Sequence, residues 1–142
     1  MSEPDFTLHP RLMADTAPVC DLDLSRVLLM DETTWPWLIL VPRRAGLREL
    51  VDLPRGERHR LDDEIALASR ALLMLYRPDK LNVAALGNVV EQLHVHVIAR
   101  HIGDPAWPAP VWGRQAPAAY APEQREARLE ALRGAFIRLS QE

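Results

Sequence analysis

The chain holds a single cysteine, Cys20, in 142 residues. That excludes an internal disulfide and any zinc site built from several thiolates. A reducing, cytoplasmic setting fits such usage. No apolar run is long enough to span a membrane, and the polar, acidic N-terminus does not read as a secretory signal. Positive charge is not in excess either. Lys and Arg number 17 against 20 Asp and Glu, a formal net charge of −3. A nucleic-acid-binding surface is therefore not expected. Repeats and low-complexity tracts are missing, so solenoid and fibrous architectures drop out. What remains is one compact domain over residues 1–142, long enough to bury its own core.

Hydrophobic periodicity places the elements. Residues 1–18 read as irregular. Residues 24–31 read as a strand that ends in the polar turn Asp31-Glu32-Thr33-Thr34. Residues 37–41 form a nearly continuous apolar run, fit for a central strand that pairs with the first as a hairpin. Residues 48–53 suggest a short helical turn. From about residue 58 to 76, Leu61, Ile65, Ala68, Leu72 and Leu75 recur at helical spacing, with Pro78 as the stop. Two further strands follow, residues 80–86 and 91–101. Residues 123–139 form a second amphipathic helix with Leu129, Leu132, Phe136 and Leu139 on one face. The sum is an α+β domain, an antiparallel sheet of about five strands with two main helices. Both helix faces read as core surface, so no cofactor is called for.

The densest chemistry lies in Gln92-Leu93-His94-Val95-His96-Val97-Ile98-Ala99-Arg100. Side chains alternate across a strand, so Gln92, His94 and His96 share one face and Leu93, Val95 and Val97 the other. Two imidazoles and an amide thus stand in a row on a rigid element. Arg100 has the same parity and is a candidate for a phosphate. Gly87-Asn88 reads as the turn before this strand, and backbone amides there and at Val89 can cradle an anion.

Asn82, Gly87-Asn88 and Gln92-x-His94-x-His96-Val97-Ile98 resemble the signature of the histidine triad nucleotide hydrolases and transferases. That signature sets three histidines at alternate strand positions, followed by two apolar residues. The resemblance runs back through Leu28-Leu29-Met30-Asp31 and residues 37–43, and forward to Trp107-Pro108, covering roughly residues 19–113. It implies a histidine triad fold and attack by His94 on an α-phosphate, giving a nucleotidyl-histidine that water releases. It implies His96 as a donor to the phosphoryl or bridging oxygen, and Asp31 as an acceptor for ribose hydroxyls. Asn82, Gly87, Asn88 and Val89 become substrate-binding residues, with Trp107 near the site or a dimer contact. The partner is a small-molecule nucleotide and the assembly a homodimer. The chain departs from the pattern at Gln92, where the first histidine normally stands, and at Val89, where many relatives carry a hydroxyl. An amide can orient phosphate but cannot act as an acid.

His-x-His on a strand also begins many metal sites. Here Arg100 occupies the region where a cupin-like site places its glutamate, and Ile98 stands where the metallo-β-lactamase pattern requires Asp. No third ligand follows, so no metal is expected.

Overall fold

The computed structural model describes residues 5–114 and 117–142. Five strands form one antiparallel sheet: β1 (Thr16–Asp21), β2 (Ser25–Met30), β3 (Trp37–Pro42), β4 (Lys80–Ala85) and β5 (Val95–Arg100). Their spatial order is β1-β2-β3-β5-β4, so the histidine strand lies inside the sheet and β4 lies at an edge. Two long helices, α2 (Arg55–Tyr76) and α3 (Pro122–Ser140), cover one face. Leu38, Leu40 and Val97 project toward Ala68, Leu72, Leu132 and Phe136. The α+β class expected from periodicity is what the chain adopts, with a third, short helix added: α1 (Pro10–Asp15).

The other face carries Trp37, Ile39 and Ile98. Leu8 and Leu12 of the N-terminal segment cover it together with Trp35, Ala106 and Val111. All six residues of β3 are buried, as are all six of β5. A strand covered on both faces needs apolar residues throughout, and β3 supplies them. β5 does not, and its polar members are therefore bound to partners inside the protein.

α2 ends where its sequence says it must. Arg77 turns into the left-handed region at φ 46°, its amide donating to Leu73 O, and Pro78 cannot continue the helix. Glu64 points inward, and its two carboxylate oxygens accept from the amides of Leu24 and Ser25 at 2.8 and 2.9 Å. A buried carboxylate is tolerable when fully bonded, and here it ties the helix to the β1–β2 connection.

Two expectations need correction. The irregular stretch set at residues 1–18 contains α1 and the start of β1 within its described part; residues 1–4 lie outside the described residues. Local caps close α1 at both ends: His9 Nδ1 accepts from the Arg11 amide, Pro10 opens the helix, and Thr16 Oγ1 donates to Leu12 O, while Leu8 and Leu12 bury against the sheet. Pro18 hides β1 from sequence reasoning, but an edge strand tolerates it. Arg133 donates to Pro18 O and Val19 O and so occupies acceptors of β1. The second correction concerns β5, set at residues 91–101. Its ladder with β4 ends at Ala85 opposite Val95, leaving residues 86–94 as a long loop rather than a tight turn. Leu93 leaves the ladder to donate to Leu47 O.

Candidate active site

β5 and the loop before it bring His94 and His96 together with their ring centroids 5.0 Å apart. Each ring is only 5% exposed. Their two hydrogen bonds differ in kind. His94 Nδ1 lies 2.6 Å from the main-chain carbonyl of Gln92. A carbonyl only accepts, so Nδ1 carries the proton and Nε2 keeps its lone pair. Trp37 Nε1 donates to His96 Nδ1 at 2.9 Å. An indole only donates, so His96 carries its proton on Nε2. One imidazole offers a nucleophilic lone pair and its neighbour a hydrogen-bond donor.

The aromatic packing keeps His96 neutral. Trp37 and Trp112 meet its ring edge-to-face at 5.7 and 5.1 Å. Burial first, and the adjacent His94 second, lower its pKa from 6.5 to about 4. Protonating Nδ1 would also set two donors against each other.

Both histidines open onto a cavity of about 220 Å³. Met30 and Ile39 of the sheet contribute to its floor. Gly87, Asn88, Val89 and Val90 line one side, Arg11, Leu12 and Asp15 of α1 another, and Trp112 adds a further wall. Gly87, Asn88 and Val89 are thus at the cavity, as the motif implies.

Five other candidates stand elsewhere or are already engaged. Gln92 Oε1 accepts from the His9 amide at 2.8 Å, and its Nε2 donates to Thr7 O at 2.9 Å, so both ends of the amide are taken up. Arg100 is 1% exposed and lies under the sheet face, not on the cavity wall. It makes a two-pronged pair with Asp104 at 2.8 and 2.9 Å and donates to Asn82 Oδ1 at 2.8 Å. That arrangement binds Asn82 too, and holds the Asp104 carboxyl well below the usual range. Trp107 packs against the same guanidinium at 5.6 Å, away from the cavity. Asp31 accepts from the Tyr120 amide through Oδ1 at 2.9 Å, while its own amide donates to Asp15 O.

Sequence reasoning missed Arg11, Leu12 and Asp15. No motif marks them; the only trace is the i, i+4 spacing of Arg11 and Asp15, which pair at 3.7 Å. Trp37 carried a signal, since a buried indole at the start of a central strand usually finds an acceptor. His9 caps α1, its Nδ1 accepting from the Arg11 amide.

The HIT domain model matches residues 11–103. The chain belongs to the HIT domain family. HIT proteins of known structure share its whole fold. A histidine triad protein from Bradyrhizobium japonicum is 47% identical, with a TM-score of 0.91 over 94% of this chain and 99% of that one. One from Marinobacter aquaeolei is 48% identical, again at 0.91, over 94% and 98%. A diadenosine triphosphate hydrolase from Plasmodium falciparum, at 14% identity, shares the fold with a TM-score of 0.62 over 97% and 88%. The comparison with curated proteins gives no match. Among the described residues of this HIT domain, no three His, Cys, Asp or Glu side chains gather as metal ligands. No described helix is long and apolar enough to cross a membrane.

Proposed function

We propose that the protein is a nucleotide hydrolase or transferase that works at the α-phosphate of a nucleoside phosphoramidate, dinucleoside polyphosphate or similar conjugate. The observation that carries this is the pair of opposed tautomers, His94 bonded to the Gln92 carbonyl and His96 to Trp37. His94 Nε2 forms a bond to the α-phosphorus as the bond to the bridging atom breaks, and the electron pair leaves with the departing group. His94 Nδ1 keeps its proton against the carbonyl, so the positive charge gained by the ring is stabilised. Water then attacks phosphorus, gives its proton to solvent and restores the Nε2 lone pair. Splitting the displacement into two steps is the gain of covalent catalysis.

His96 Nε2–H donates to the oxygen on which charge develops. It does so as a neutral donor, not as a proton source, because its pKa lies near 4. Among the conjugates named, dinucleoside polyphosphates, whose departing nucleotide is a stable anion, therefore suit this site better than phosphoramidates, whose amine must take a proton from solvent as it leaves. The apolar floor of Met30 and Ile39 fits the planar face of a base. The HIT relatives support a nucleotide as the ligand class.

Mass spectrometry across a panel of nucleotides tests the reading. An adduct of one nucleoside monophosphate on His94, absent from His94→Ala, is the expected result. Binding of nucleotides without any adduct or turnover would make the protein a binding module instead.

We further propose a homodimer. Val83, Leu86 and Val89, on or beside edge strand β4, are 49%, 44% and 72% exposed, apolar side chains at an open sheet edge that a second copy would cover. A reducing compartment suits Cys20, whose thiol burial pushes up to about 11, far from a reactive thiolate.

A further inference from the structure

Besides the amides of residues 87–89, positive charge strengthens a site for a nucleotide phosphate, and most of the candidates for it here are already engaged or neutral. Arg100 is buried against Asp104 and Asn82. The Gln92 amide carries no charge and is bonded at both ends. His96 is held neutral. Among the described residues one permanent cation lines the cavity, Arg11.

Arg11 comes from a segment that is fastened down. Gln92 grips it as a paired strand would, donating to Thr7 O and accepting from the His9 amide. Leu8 and Leu12 are buried beneath it, 7% and 5% exposed. At its far end Asp15 O accepts from the Asp31 amide. The backbone is fixed, yet the Arg11 side chain is 62% exposed, and its one ion pair among the described residues, with Asp15, spans 3.7 Å between exposed groups. Such a pair is weak and screened, so the guanidinium is free to exchange Asp15 for a stronger acceptor.

We propose that Arg11 binds the phosphate of the nucleotide, and that Gln92 is a positioning residue that clamps residues 7–15 so that Arg11 reaches it. This rests on the nucleotide reading above. It also explains the glutamine chemically. A peptide-like amide donates and accepts side by side; a neutral imidazole has its donor and acceptor on opposite sides of the ring and cannot grip both Thr7 O and the His9 amide in that way. Residue 92 gives up a side chain at the phosphate and gains a wall that brings a guanidinium, which matches phosphate geometry better than an amide does.

Titration calorimetry with AMP and with adenosine separates the roles. Arg11→Ala should weaken AMP binding about tenfold, the loss of one charge-assisted contact, and leave adenosine unchanged. Arg11→Lys should recover most of the loss and Arg11→Gln little of it. Gln92→Ala should weaken AMP similarly and speed amide hydrogen exchange across residues 7–15. The Arg11→Ala/Gln92→Ala double variant should bind AMP no more weakly than Arg11→Ala alone, since both act through one contact. AMP affinity unchanged in Arg11→Ala, or fully additive losses in the double variant, would overturn the proposal. Wild-type protein that binds neither ligand would refute the nucleotide reading itself, and with it any phosphate role for Arg11. The exchange measurement would still decide the clamp, and equal protection of residues 7–15 in Gln92→Ala would refute it.

Discussion

Acidification should strip stability from this protein through His96, and the amount follows from the structure. His96 is buried, flanked by Trp37 and Trp112, and accepts the Trp37 indole at Nδ1. Its pKa is lowered to about 4 in the fold, against an unfolded value of 6.5. The unfolded chain therefore binds a proton between pH 6.5 and 4 that the folded chain refuses. Folding is favoured fully above pH 6.5 and loses this contribution as pH falls toward 4. The full gap corresponds to about 3 kcal/mol, of which about 2 kcal/mol is lost between pH 7 and pH 4.5. Urea denaturation at those two pH values measures it. Carboxylates and other histidines titrate too, so the informative quantity is the difference between wild type and His96→Gln. A glutamine oxygen can still accept the indole proton but does not titrate in this range. The variant should lose about 2 kcal/mol less than wild type over the same interval. Equal losses in both proteins would mean that His96 does not stay neutral, and the assignment of a neutral donor would fail with it. Direct observation of the His96 ring by nitrogen NMR gives the same answer independently: its titration midpoint should lie near 4, with Nδ1 unprotonated at pH 7.

Five further outcomes are expected. His94→Ala should keep the fold, checked by circular dichroism, and retain less than a tenth of wild-type turnover. Trp37→Phe removes the indole that fixes the His96 tautomer and should lower kcat by about tenfold, one lost buried hydrogen bond, with a smaller change in KM; unchanged kcat would make Trp37 a packing residue only. Asp104→Ala leaves the Arg100 guanidinium buried without its carboxylate and should cost about 3–5 kcal/mol in chemical denaturation. Turnover should survive EDTA when the substrate itself needs no magnesium, and light scattering at micromolar concentration should give the mass of a dimer.

How much of this was legible beforehand depended on whether one residue's signal was local. The central strands were legible because β3 is apolar along its whole length and Pro42 closes it. α2 was legible because Leu61, Ala68 and Leu72 repeat at helical spacing before Pro78. α1 and β1 were not. A six-residue helix has too few turns for periodicity, and this one depends on His9, Thr16 and two buried leucines that meet distant parts of the sheet. The N-terminal limit of β5 was misread for a related reason. Alternation continues through Gln92 and Leu93, but Leu47 and the N-terminal segment, both far away in sequence, draw those residues out of the ladder.

In the site, the two histidines were legible and the logic of their neighbours was not. Strand parity places Arg100 and His96 on one face, and they do share it, with Asn82 brought to the same face by the β4–β5 register; parity is silent on which of them a local acceptor will capture. Asp104, four residues past Arg100, captures the guanidinium, and a motif built from strand positions does not include it. Gln92 shows the converse. Its side chain was weighed as a member of the catalytic row, while its contribution to the nucleophile is its carbonyl, which orients His94 whatever side chain residue 92 bears. Any non-proline residue that keeps the backbone path would supply that carbonyl equally well. The side chain at this position is therefore free to take up another task without disarming His94, and here it holds the N-terminal segment. A triad counted in side chains overstates what the attacking nitrogen requires: one ring, one main-chain oxygen, and a neighbouring donor whose own proton is fixed from behind by Trp37.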